Sequence, residues 1–231
     1  MNIHRTSFGG RCFEYFSEDP HLSGVFGAAI CQKAVEKGMI TYIKHFALND
    51  QDTNRNSVCT WSNEQAIREI YLRPFEMCVK DSGCEAVMSS FNYIGNRWAG
   101  GDSRLLNTVL REEWGFQGFV ETDYFGVYGY MSADQAIRNG CDLMLVAYQT
   151  ETNNVQFRDT NGAQQAMRTA AKNILYVTVN SRAYTDENYA KATATPMWRT
   201  ILIVVDVIAV IALAAIEFAV FRSYKKKKQN V

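Results

Sequence analysis

Gly118-Phe119-Val120-Glu121-Thr122-Asp123 is a short apolar run that ends on a carboxylate and is followed at once by Tyr124-Phe125-Gly126. A run of this length bounded by glycines reads as a buried strand, and an aspartate presented at a strand tip can serve as a nucleophile. Upstream, Thr41-Tyr42-Ile43 forms a similar segment and ends in Lys44-His45. Two strand ends therefore deliver polar side chains that can converge on one ligand.

Around these strands, helical and strand patterns alternate. A helix is predicted from about Pro20 to Lys37, where Leu22, Val25, Phe26, Ala29, Ile30 and Ala34 recur at helical spacing and Gly38 supplies the stop. A second opens at Ser62 and Asn63, turns Ile67, Ile70, Tyr71 and Phe75 inward, and meets a kink at Pro74. The strand Ala86 to Phe91, a turn-rich stretch from Asn92 to Asp102, and a helix from Ser103 to Trp114 with Leu105, Leu106, Val109 and Leu110 on its inner face lead to the Asp123 strand. A short helix around Asp134 to Asn139, a strand from Asp142 to Val146 and a long helix from about Gly162 to Asn180 continue the rhythm. Such alternation specifies a parallel sheet with crossover helices, in which ligands bind beyond the carboxyl ends of the strands. A closed eight-stranded barrel takes about 250 residues. Here only four or five strands can be counted, so the expected fold is α/β, a partial (β/α) TIM-type barrel that lacks its first strands, followed by a single C-terminal transmembrane helix.

That last helix rests on composition. From Ile201 to Phe221 the chain is apolar apart from Asp206 and Glu217, and about 20 such residues suffice to cross the hydrocarbon core. Trp198 and Tyr224 flank the run as interfacial aromatics, and Arg222 and Lys225-Lys226-Lys227-Lys228 follow it. The excess of positive charge places the C-terminus in the cytoplasm and the barrel outside, a single-pass protein of the cell membrane. Asp206 and Glu217 lie about three helical turns apart and so share one face, where a partner helix could meet them. The expected organisation is a partial barrel over 1–183, a linker over 184–198, a transmembrane helix over 199–222 and a basic cytoplasmic tail over 223–231.

Over the whole 231 residues, 47% apolar content and 24 basic against 24 acidic side chains describe a globular domain with an appendage. They exclude a disordered chain and a nucleic-acid binder. The six cysteines show neither CxxC pairs nor zinc-like spacing, so they read as buried small hydrophobes, with no metal and no cofactor expected. A bridge such as Cys78 to Cys84 is compatible with an extracellular location, although spacing does not set connectivity.

Four ordered stretches carry a family resemblance: Gly10-Arg11-Cys12-Phe13-Glu14-Tyr15-Phe16-Ser17-Glu18-Asp19-Pro20, Lys44-His45-Phe46, Met88-Ser89-Ser90-Phe91-Asn92, and Gly118 to Tyr124. Together they resemble successive motifs of glycoside hydrolase family 3, the β-glucosidase type, over roughly the first four-fifths of the chain. The resemblance implies a retaining enzyme acting on a glycoside or oligosaccharide, built from a (β/α) barrel and a second α/β sandwich domain. It implies that Asp123 is the nucleophile, holding the sugar as a covalent ester while the aglycone leaves. Lys44 and His45 resemble the family's pair that hydrogen-bonds glycone hydroxyls, and Arg11 resembles the arginine that braces the same ring. Tyr124 stands where the family commonly has Trp, as a platform for sugar stacking.

The stretch Lys44-His45-Phe46-Ala47-Leu48-Asn49-Asp50 lacks the loop histidine of the family's N-acetylglucosaminidases, which favours a glucosidase or xylosidase type with its acid/base glutamate on the sandwich domain. The membrane segment directly after the barrel implies a permuted order, with the sandwich and its glutamate upstream of Met1. This fragment alone is then expected to hydrolyse glycosides poorly or not at all. The alternative is a non-catalytic, membrane-anchored sugar-binding remnant.

Overall fold

A computed structural model of the chain describes residues 1–125, 129–147, 155–186 and 195–229, with side chains described as far as residue 225 in the last segment. Asp19 and Pro20 start the first helix, α1 (Pro20–Glu36): Asp19 Oδ1 accepts the Leu22 N–H at 2.6 Å, and proline at the first position forfeits no helical hydrogen bond. Gly38, at φ +80°, turns the chain out of the helix and toward the sheet.

Three strands form a parallel sheet in the order β1 (Tyr42–Phe46), β3 (Ala86–Ser89), β6 (Phe119–Glu121), and Leu143 extends it through a parallel bridge to Glu121. Ile43, Val87 and Val120 stand in register and are buried with Phe75, Leu106 and Leu110. Each contributes about 1.5 to 3 kcal/mol by leaving water. Their neighbours Tyr42, Ala86 and Phe119, also in register, point to the opposite face. There the Tyr42 ring meets Phe119 edge-on at 5.5 Å, and Ala86 and Phe119 pack against Val177 of α5 (Asn161–Asn180). The sheet is thus an arc of a (β/α) barrel, with α5 against the face that a closed barrel turns to its interior. Glycine is required at Gly118, just before β6, because any side chain there would strike the Glu85 backbone, whose carbonyl accepts the Phe119 N–H at 3.2 Å.

On the outer face, α1 packs against α3 (Arg73–Ser82). Periodicity identifies α1 correctly, but the buried face is not the one with the large side chains. Ser23, Gly24, Gly27, Ala28 and Cys31 are buried, while Leu22, Val25, Phe26 and Ile30 are exposed. The reason is close approach: a Cβ on Gly27 would stand 3.0 Å from Cys78 Sγ, and one on Gly24 would collide with Met77. Small residues let the helices meet where larger ones could not.

The helix expected from Ser62 is three pieces, α2 (Glu64–Ala66), a π turn (Ile67–Tyr71) and α3, with Pro74 at the start of the third. Phe75 is buried there, but Ile70 is exposed because the π turn shifts its register. The helix expected over Ser103 to Trp114 is wound as a π-helix (Arg104–Glu113), with the four expected leucine and valine side chains buried. A small second sheet, β2 (Cys59–Thr60), β4 (Tyr93–Ile94) and β5 (Arg97–Trp98), was not foreseen, since two-residue strands carry no readable period. The strand expected from Asp142 to Val146 reduces to the bridge at Leu143. All six cysteines are free thiols; Cys12 and Cys59 are exposed, contrary to their reading as buried hydrophobes, and Cys78 and Cys84 are unbridged.

The remaining helices are α4 (Ala133–Arg138), α6 (Arg182–Thr185) and α7 (Met197–Gln229). Residues Met1–Thr185 form one compact unit and Asp186–Val231 another. Over Met197–Lys225, α7 is long and apolar enough to cross a membrane, and none of that stretch is buried against protein. Residues 187–194 of the expected linker and the side chains of Lys226, Lys227 and Lys228 in the basic tail lie outside the described residues.

Candidate active site

Asp123 follows β6 at its carboxyl end and is 7% exposed. Its Oδ1 accepts the Tyr124 N–H at 2.7 Å, whereas Oδ2 has no hydrogen-bond partner. His45, on the carboxyl-terminal half of β1, places Nε2 3.6 Å from that Oδ2. Arg11, buried on the loop before α1, sets Nη2 3.0 Å from His45 Nε2 and pairs through Nε with Glu14. Lys44 projects Nζ to 4.0 Å from the other oxygen of Glu14. Four of the five residues singled out from the sequence, Arg11, Lys44, His45 and Asp123, therefore share one constellation. The fifth, Tyr124, contributes its backbone N–H to Asp123 and leaves its ring partly exposed.

Burial raises the Asp123 carboxyl above its ordinary range, and the Tyr124 N–H and the positive charges of Arg11, Arg55 and Lys44 oppose that rise. His45 is held down at about 2, first by burial and then by Arg11 and Lys44, so the ring is neutral at any working pH. Burial also raises Glu121, beneath Asp123 on β6, and the Asp123 charge adds to the effect. Among the described residues no group of three His, Cys, Asp or Glu side chains is arranged to hold a metal ion.

Residues 1–177 match the family model described as the glycosyl hydrolase family 3 N terminal domain. The chain belongs to glycosyl hydrolase family 3. Within it, the probable beta-glucosidase J of Emericella nidulans is 43% identical over 143 residues, 62% of this chain and 16% of that protein. A beta-glucosidase of Ruminococcus albus is 43% identical over 125 residues, 54% of this chain and 13% of that protein. Among solved structures, beta-glucosidase 3B of Thermotoga neapolitana in complex with glucose superposes with a TM-score of 0.71 at 35% identity, over 82% of this chain and 28% of that one. The family 3 beta-glucosidase of Bifidobacterium adolescentis gives 0.73 at 32% identity, over 82% and 28%. The chain thus spans well under a third of the length of these relatives.

The constellation also includes residues that sequence reading passed over. Asn2 clamps the backbone of His45, donating from Nδ2 to its carbonyl at 3.0 Å and accepting its N–H at 2.8 Å. Tyr15 is buried with its hydroxyl 3.1 Å from His45 Nδ1 and 2.9 Å from the Asn49 carbonyl. Arg55 stacks at 5.2 Å over Phe91 and lends charge to both Asp123 and His45. Tyr15 lies inside the Gly10 to Pro20 motif, so its place in a matching motif was the available signal; Asn2 and Arg55 offered none.

Proposed function

We propose that this chain is the barrel portion of a retaining, β-glucosidase-like glycoside hydrolase anchored to the cell membrane by α7. The observation that carries the reading is Asp123: a buried carboxylate at a strand's carboxyl end, with one oxygen unpartnered and flanked by Arg11, Lys44 and His45. An ionised carboxylate so placed attacks the anomeric carbon and forms a glycosyl ester as the aglycone departs with a proton; water then cleaves the ester with net retention. Arg11 Nη1 is a buried donor without a partner, and Asp123 Oδ2 a buried acceptor without one. A sugar hydroxyl can accept from the first, and a sugar hydroxyl can donate to the second. Lys44 serves a neighbouring hydroxyl, and the Tyr124 ring offers an apolar face to the sugar or the aglycone.

Retention requires an acid about 5 to 5.5 Å from the nucleophile. In this reading a glutamate on a sandwich domain outside residues 1–185 supplies it, and the barrel alone turns over slowly or not at all. The β-glucosidase names of the relatives and the glucose held by the Thermotoga neapolitana enzyme support a β-glucoside over a β-xyloside as substrate. The length and apolar character of α7 support the anchor, and Arg222 with the lysines that follow supports a cytoplasmic C-terminus and an external barrel.

The deciding experiment treats the full-length protein with a 2-deoxy-2-fluoro-β-glucoside and maps the adduct by peptide mass spectrometry. The ester is expected on Asp123. An adduct elsewhere, or undiminished turnover in Asp123→Asn, overturns the assignment. Protease added outside intact cells is expected to remove the barrel and spare the lysine tail; a chain that stays in the soluble fraction refutes the anchor.

A further inference from the structure

The hydrogen bonds around His45 leave only one order in which protons can be arranged. Arg11 can only donate, so the His45 Nε2 that lies 3.0 Å from its Nη2 must accept. At the other end, the Asn49 carbonyl can only accept, so the Tyr15 hydroxyl spends its single proton there, at 2.9 Å. That hydroxyl then faces His45 Nδ1, at 3.1 Å, with a lone pair, and Nδ1 must carry the ring proton. The two ends of the chain of bonds, fixed independently by a guanidinium and a backbone carbonyl, demand the same tautomer.

We infer that Tyr15 is a positioning residue that, with Arg11, locks His45 as its Nδ1–H tautomer and refers the orientation of Arg11 to the backbone at Asn49. In the structure both ring nitrogens of His45 have protein partners. The 3.6 Å approach of Nε2 to Asp123 Oδ2 brings together two groups that both offer lone pairs. It is therefore neither a hydrogen bond nor an ion pair, and it leaves Oδ2 free for a ligand's donor. The burial of Tyr15, His45 and Arg11 keeps water from substituting for any link. The inference concerns the same pocket as the glycosidase reading, but it stands on donor and acceptor direction alone and survives if no glycoside is turned over.

The test is nitrogen-15 NMR of the intact chain labelled at histidine, where only His4, His21 and His45 contribute and His45→Gln identifies the signal of interest. At neutral pH, His45 is expected to show a single tautomer with the proton on Nδ1 and slow exchange of that proton with water. Tyr15→Phe keeps the ring and removes the acceptor; in the folded variant the Nδ1 proton is expected to exchange at least tenfold faster. A residue that merely fills space would leave that rate unchanged, and an unchanged rate overturns the proposal. So does an Nε2–H tautomer in the unmodified chain, a measurement that decides the matter even if Tyr15→Phe fails to fold.

Discussion

Two arginines, Arg111 half-buried and Arg11 buried, hold opposite ends of the same sheet, and their carboxylates are treated differently. At the amino end, Arg111 on the π-helix bonds the Gly118 carbonyl at 2.8 Å and Asp142 Oδ2 at 2.6 Å. Asp142 also accepts the Val120 N–H at 2.8 Å and the Asn173 amide at 2.9 Å, so both of its oxygens are engaged. At the carboxyl end, Arg11 and Asp123 each keep one buried polar atom without a partner. Arg111 Nε is unpartnered too, so the difference lies in the carboxylates: Asp142 is a lock with both oxygens engaged, and Asp123 an open socket with one oxygen unmet. An unmet buried hydrogen bond costs about 1 to 3 kcal/mol, and a fold that leaves such atoms on Arg11 and Asp123 has spent stability where a ligand can restore it.

Substitutions at the two carboxylates should separate these roles most sharply. Asp123→Asn is expected to lower kcat of the full-length enzyme by on the order of 10⁴-fold, about 5.5 kcal/mol of barrier. Its urea-unfolding free energy should be equal or higher, because a buried carboxyl raised by desolvation is neutralised. Asp142→Ala should do the reverse to stability, costing about 3 to 5 kcal/mol by leaving the half-buried Arg111 without its buried counter-charge. Equal losses at the two sites would erase the contrast.

Acid should then probe the socket through His45. His45 has its folded pKa depressed from 6.5 to about 2. Its contribution is fully present above the unfolded value and is lost as pH falls, because the unfolded chain takes up a proton that the folded one refuses. From pH 7 to 5 the native chain should lose about 2 kcal/mol more stability than His45→Gln. Asp50, raised by burial to about 6, behaves oppositely: the native chain should lose stability relative to Asp50→Asn as pH rises from about 4 to 6. The smallest effect belongs to Lys44→Met. Its half-exposed ammonium, 4.0 Å from Glu14, should be worth less than about 1 kcal/mol in thermal unfolding, while sugar affinity falls measurably.

The parallel sheet and the pairing of Asp123 with Lys44-His45 were legible because strand ends are marked by local residue types: apolar runs, then polar groups. Helix existence was legible for the same local reason. The inner face of α1 was not, since what decides it is the shape of α3. Met77 and Cys78 admit glycine and alanine and turn Phe26 and Ile30 outward, and a hydrophobicity count ranks those residues the other way. Tyr15 and Asn2 escaped notice because their importance lies in contacts 30 and 43 positions away along the chain. The bridge at Leu143 shows the converse limit, an apolar run with strand composition whose ladder ends after one residue.

The end of α5 has a mechanical consequence. Arg182, just past that helix, donates to the carbonyl of Lys37, ahead of β1, so the polypeptide leaves the sheet from the side remote from Asp123. Within residues 1–185, a pull at Arg182 would reach Lys37 ahead of β1 and, along α5, Asn173, Asp142 and Arg111. These links join the strands at their amino ends, whereas His45, Tyr15 and Arg11 are tied to one another at the carboxyl ends.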